Sequence, residues 1–177
     1  MLSRFDQMKA LLDNTKYFKL VCGAGNEDAE EVKRLTVLYT LAGAKGMDVS
    51  ANVDVVKACM EGIDIAFSLS KEMDIELKIR PFIMVSVGMP GDHHVRKSFI
   101  NLVTCLKCDL CIPVCPTDAI PKNLVVIKDK CIGCGNCSAI CPRTDIIHYE
   151  HNDKELRELL PKCLKAGAEQ IELHAAV

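Results

Sequence analysis

The chain has 177 residues, 49% of them hydrophobic and 26% charged, with a formal charge of -2. That length suits one ample domain or one domain carrying a small module, and the near-neutral balance leaves no electrostatic footprint for nucleic acid or a membrane surface. No apolar run approaches the roughly 20 residues of a membrane span, and the start, MLSRFDQMKALLDN, reads as an amphipathic helix and not a signal sequence, so a cytoplasmic protein is expected.

After that first helix, Tyr17 to Cys22 is a short apolar run bounded by Gly23 and Gly25, which reads as a buried strand. Asn26 is the expected cap of a helix whose first turn carries Glu27, Asp28, Glu30 and Glu31, as the helix dipole prefers. Val32, Leu35, Leu38, Tyr39 and Ala42 fall on one face of it, and Gly43 supplies the stop. A second strand is expected at Met47 to Ala51. A helix opened by Asn52 or Asp54 then runs past Gly62 towards Lys71, and a third strand occupies Phe82 to Val87. A turn-rich loop through His93 and His94 leads into a cysteine-rich stretch. Beyond it, Asn152 caps a helix from Asp153 to Leu160, Pro161 kinks or restarts it, and Gln170 to Ala175 is a fourth strand.

This order implies parallel strands joined by right-handed crossovers: an α/β fold of βα units, half-barrel-like or an open sheet. Ala42 to Ala51 matches Ala166 to Ala175 position by position, each a helix end, a glycine turn and a strand with one acid, Asp48 or Glu172. A structural role for that pair of acids is the favoured expectation. Four units in sequence order, with helices on one side only, would leave an apolar inner face uncovered. The cysteine module, another chain of a homo- or hetero-oligomer, or a doubly wound order would then have to cover it.

Between these units the sequence reads CLKCDLCIPVCP from Cys105 and CIGCGNCSAICP from Cys131. Each is Cys-x2-Cys-x2-Cys-x3-Cys-Pro, the run that holds four-iron clusters in two-cluster bacterial ferredoxins, where the fourth cysteine of each run serves the other cluster. Cys105, Cys108, Cys111 and Cys141 are therefore expected to hold one 4Fe-4S cluster, and Cys131, Cys134, Cys137 and Cys115 the second. Zinc remains the alternative, although three thiolates so closely spaced serve no tetrahedral site; a disulfide framework fits still less without a signal peptide. Of the eleven cysteines, Cys22, Cys59 and Cys163 are left over, each in an apolar setting. The expected division is a discontinuous α/β scaffold, residues 1–97 and 151–177, and a ferredoxin-like α+β module at 98–150.

The stretches FKLVCGAGNEDAEEVKRLTVLYTLAGAKGMDVSAN and IMVSVGMPGDHHVRKSF, followed by the doubled cysteine run, resemble the LdpA family of iron-sulfur proteins of the cyanobacterial circadian system. The resemblance covers about residues 17 to 177. It implies two iron-sulfur clusters and an association with sensing redox state, in proteins that continue well beyond Val177.

In parallel α/β folds ligands gather beyond the carboxyl ends of the strands. The clusters are therefore expected over the mouth formed by Gly23 to Asn26, Ser50 to Asn52, Gly88 to His94 and His174. Gly23, Gly25 and Asn26 are a candidate contact for a flavin or phosphate, although Asp28 stands where a Gly-x-Gly-x-x-Gly run would end; a plain tight turn is the alternative. His93, His94 and His174 are candidate metal or proton groups, or simply solvated histidines. The leading expectation is an electron-transfer protein or subunit that serves a partner protein or larger oxidoreductase complex through two 4Fe-4S clusters. A redox sensor, or a flavin- or substrate-binding oxidoreductase fed by the clusters, are the rivals.

Overall fold

The computed structural model describes residues 2–23, 25–88, 96–151 and 155–174. Ser3 opens the first helix, α1 (Arg4–Asp13), by accepting the Asp6 N–H. There follow β1 (Lys19–Val21), α2 (Ala29–Leu41), β2 (Gly46–Ser50), α3 (Val53–Glu72) and β3 (Phe82–Gly88). The chain then forms β4 (Arg96–Ile100), a 3-10 turn at Lys128–Lys130, the short α4 (Asn136–Ile140) and β5 (Ile147–His151). A π-helical turn (Glu155–Leu159) runs into α5 (Leu160–Ala166), and β6 (Gln170–His174) closes the order. Pro161 stands in the first turn of α5. It has no N–H to offer the carbonyl four residues back, so the helix restarts there. The capping position expected at Asn152 lies outside the described residues.

One sheet is parallel throughout, in the order β1-β2-β3-β6, and β4 and β5 form a separate antiparallel pair. The fold is α/β, with its four parallel strands in sequence order. Met47 and Val49 of β2 and Ile83, Val85 and Val87 of β3 share a core with Val32 of α2, Val55, Val56, Cys59 and Ile63 of α3 and Cys163 of α5. All three helices therefore cover the same face. The repeat noticed in the sequence is structural: Gly43 ends α2 at φ +95° and Gly167 ends α5 at φ +120°, each leading into a strand.

Two local expectations differ from what is found. The α2 cap is Asp28, whose carboxylate accepts the Glu31 N–H at 3.1 Å, while Asn26 turns back to accept the Asp28 N–H at 3.0 Å. The helix thus starts later than Asn26 suggested, because two successive short polar side chains compete for its first donors and the second one wins. The buried face of α2 is Val32, Thr36 and Thr40, and Leu38 is 61% exposed. A Cβ at Gly62 of α3 would lie 2.8 Å from the Lys33 carbonyl oxygen and 3.0 Å from Thr36 Cβ. Such close helix contact admits threonine and excludes leucine.

The face opposite the helices overturns the expectation of an exposed apolar surface. Register places Lys19, Asp48, Ser50, Met84, Ser86, Glu172 and His174 together on it. At its amino-terminal end α1 provides cover: the Arg4 guanidinium stacks 3.7 Å above the Phe82 ring and forms an ion pair with Glu169. Asp48, Ser50 and Ser86 are buried on this face while Lys19, Glu172 and His174 are part-exposed, so the parallel sheet carries a polar network there in place of an apolar surface.

Candidate metal centres

The segment between β3 and α5 is held by its own core. Ile100 of β4 pairs with Ile147 of β5, and both pack with Ala119, Ile120, Leu124, Val126 and Ile146. Cys131 and Cys137 are buried in this cluster, and Cys105, Cys111, Cys115 and Cys141 pack against it. The two cysteine runs coil in the same way. Lys107 (φ 51°) and Asp109 (φ 60°) of the first correspond to Gly133 (φ 67°) and Gly135 (φ 91°) of the second. Left-handed residues at the third and fifth positions turn the backbone so that three cysteines converge, and the second run uses glycine, which suffers no Cβ penalty there.

Two cavities result. One is lined by Cys105, Cys108, Cys111 and Cys141, and the other by Cys115, Cys131, Cys134 and Cys137. Each combines three cysteines of one run with the fourth of the other. A tetrahedral zinc-thiolate site, with Zn–S near 2.3 Å, keeps its sulfurs about 3.8 Å apart. Among the described residues the one group of three or more ligand atoms within 4.8 Å of one another is Asp48, Glu172 and His174, and no three cysteine sulfurs come so close. All eleven cysteines are unbridged.

Both cavities have mainly apolar walls, with Ala119, Ile120 and Ile132 in the second, and they differ in the polar groups near the sulfurs. Apolar side chains line the first: Ile100, Leu106, Leu110, Leu124, Pro142, Ile146 and Ile147. Of these, Leu106 is 57% exposed, so its cover is partial. Around the second, the Ser98 N–H donates to Cys131 Sγ at 3.4 Å, the Ser98 hydroxyl lies at the same distance, and the Ala119 N–H donates to Cys115 Sγ at 3.2 Å. Burial alone would raise the Cys131 thiol, but hydrogen bonds from Ser98 and Gly133 and the nearby Lys97 hold it below its ordinary value. Cys22 and Cys59, by contrast, are pushed up by burial to about 12 and about 11, which makes them inert thiols.

The segment is anchored at the carboxyl end of β1, part of the mouth expected from topology. Lys97 Nζ donates to the Gly25 carbonyl at 2.5 Å and to the Cys131 carbonyl at 2.8 Å, and the Glu27 N–H donates to the Asp129 carbonyl at 3.1 Å. Gly23 takes φ +100° and its carbonyl accepts the Asn26 N–H at 3.1 Å, a tight turn. Gly25 thus meets the cysteine segment through Lys97, and Asn26 meets α2 through its bond to Glu31. His93 and His94 lie outside the described residues.

Sequence reasoning did not single out Lys19. Its ammonium lies 3.1 Å from Asp48 and also contacts Glu172, so the two acids aligned by the internal repeat share one cation. The Ser86 hydroxyl donates to Asp48 at 2.5 Å, and His174 Nε2 lies 3.0 Å from the same hydroxyl, which makes the histidine the donor there. Burial raises the Asp48 carboxyl against the pull of Ser86 and Lys19, whereas the Lys19 hydrogen bond holds Glu172 below the usual range. The only signal in the sequence was alternation of polar residues in the strands.

Residues 102–152 match the LdpA Fe-S cluster-binding domain. Light dependent period A of Synechococcus elongatus is 36% identical over 163 residues, 91% of this chain and 44% of that relative. The chain is similar to LdpA-like iron-sulfur proteins over most of its length. This LdpA-like chain spans less than half the length of that relative. Its cysteine segment is also similar to pyruvate synthase subunit PorD of Methanothermobacter marburgensis, 38% identical over 52 residues, 29% of this chain and 64% of the subunit. Ferredoxin 7Fe of Hydrogenibacillus schlegelii is 34% identical over 55 residues, 29% of this chain and 70% of the ferredoxin. No solved structure matches the chain. Among the described residues no helix is long and apolar enough to cross a membrane.

Proposed function

We propose that this chain carries single electrons through two 4Fe-4S clusters to or from a partner oxidoreductase. The observation that carries the reading is the lining of the two cavities by two complementary sets of four cysteines, Cys105, Cys108, Cys111 and Cys141 in one and Cys131, Cys134, Cys137 and Cys115 in the other. Three closely spaced thiolates from one run joined by the fourth of the other suit a cubane better than zinc. The clusters supply one-electron redox chemistry when bound. The protein's own residues hold eight thiolates, exclude water with Ile100, Ile146 and Ile147, and donate hydrogen bonds to sulfur from Ser98 and Ala119.

In this reading residues 98–150 are a ferredoxin-like module on an α/β scaffold made of 1–97 and 151–177, and the shared thiolates tie its two halves together. The similarity to a subunit of pyruvate synthase supports service within a larger complex. Substituting Cys115, which lies in the first run, is the discriminating test. Cys115→Ser should abolish the EPR signal of the cluster that Cys134→Ser also abolishes, and leave the one lost in Cys108→Ser. Loss of the Cys108 signal instead would reject crossed ligation. The similarity to Light dependent period A over most of the chain favours one second reading, a redox sensor. That reading requires partner affinity to change between the oxidised and reduced protein.

A further inference from the structure

The two cysteine cavities are related by an internal repeat, but the groups around them are not. Cys131 Sγ has both the N–H and the hydroxyl of Ser98 at 3.4 Å, and Cys115 Sγ accepts from the Ala119 N–H at 3.2 Å. At the other cavity the donors to sulfur are backbone groups, among them the Lys107 N–H to Cys105 Sγ at 3.4 Å, and no side-chain hydroxyl among the described residues joins them. Cations follow the same asymmetry. Lys97, with a side chain only 15% exposed, bonds the Cys131 carbonyl, and Arg96 donates to the Gly133 carbonyl at 3.1 Å while stacking 3.8 Å above the Tyr149 ring. Glu27 faces Lys97 at 3.7 Å, farther than either carbonyl that Lys97 bonds, so it offsets only part of that charge. Both cavities have apolar walls, but the charged groups lining the first are the acid Asp109 and Arg143, whose guanidinium is already held by both carboxylate oxygens of Asp145.

Hydrogen bonds to cluster sulfur and nearby positive charge stabilise the more negative, reduced state. We infer that the two sites are not equivalent: the site formed by Cys115, Cys131, Cys134 and Cys137 has the higher reduction potential, and Lys97 and Ser98 set the gap. This deepens the two-cluster reading proposed above and rests on it. With both clusters bound, a one-electron donor would be oxidised as a cluster is reduced, no bond being made or broken, and the electron would favour the site held by Cys115, Cys131, Cys134 and Cys137, which Lys97 ties to Gly25 beside the carboxyl end of the parallel sheet. Lys97 and Ser98 are positioning residues in this account, since they touch the ligands and their backbone.

The test is an EPR-monitored redox titration of the full chain, isolated anaerobically with its iron. Two reduction steps are expected, the upper lost in Cys134→Ser and the lower lost in Cys108→Ser. Ser98→Ala and Lys97→Met should each move the upper step to lower potential and leave the lower step in place, and Ser98→Thr should restore it. Should Ser98→Ala assemble poorly, Lys97→Met carries the same prediction by charge alone. Coincident steps, a reversed order, or equal shifts of both steps would overturn the inference while leaving the two-cluster reading intact. Iron content measured before the titration separates the two failures, because a chain lacking a second cluster would overturn both.

Discussion

Lys19 is the one cation shared by Asp48 and Glu172, and replacing it with methionine keeps the length of the side chain while removing the charge. Stripping one partner from a fully buried ion pair costs about 3–5 kcal/mol. Here only one arm is dry: Asp48 is fully buried, but the Lys19 and Glu172 side chains are 23% and 34% exposed. Asp48 also keeps its bond from Ser86, and it can shed its charge by taking a proton at about 1.36 kcal/mol per unit of pKa. These reductions bring the expected loss for Lys19→Met to about 2 kcal/mol near neutral pH. The pH dependence has a definite sign. Without Lys19 the Asp48 carboxyl rises further, so the variant loses stability as pH climbs through that raised value. Glu172, held low by Lys19 in the native chain, contributes stability above its unfolded value that the variant lacks. Both effects make the gap between native and variant larger at about pH 7 than at about pH 4.5, where the carboxyls take up protons. Anaerobic urea unfolding of the iron-loaded chain, followed by far-ultraviolet circular dichroism at both pH values, measures it. A loss below about 0.5 kcal/mol, of the size expected for an ordinary surface change, or a gap that widens in acid, would refute the reasoning.

Other expectations follow from backbone geometry. Lys107 is exposed and left-handed where the second cysteine run has Gly133, so Lys107→Gly should gain about 0.5–1 kcal/mol in urea unfolding, and a loss would contradict the equivalence of the runs. Gly62→Ala brings a methyl group to 2.8 Å from the Lys33 carbonyl oxygen. Overpacking of about 1–3 kcal/mol should outweigh the roughly 1 kcal/mol gained in helix propensity, so the variant should unfold at lower urea, and a stabilised variant would show that α2 and α3 separate freely.

Most of the fold was readable because hydrophobic periodicity and glycine placement report directly on backbone requirements. Gly43 and Gly167 marked two equivalent helix ends, and the short apolar runs marked the strands. Each cavity is lined by the four cysteines that the spacing groups as one expected ligand set. Where the reading failed, tertiary contacts decided. Leu38 lies outward because Gly62 and Thr36 bring two helices too close for a leucine between them. The polar sheet face was missed because Lys19, Asp48, Ser86 and Glu172 come from four different strands, and only the parallel register shows that they share one surface. The asymmetry around the two cavities was equally hidden, since Ser98 lies outside both cysteine runs and reaches Cys131 only through the fold.

The central claim is most directly tested by counting iron and acid-labile sulfide per chain in anaerobically isolated protein, with zinc measured in the same sample. Two cubanes held by eight shared thiolates require about eight of each. Half that content in the native chain, or zinc in place of iron, would contradict the account.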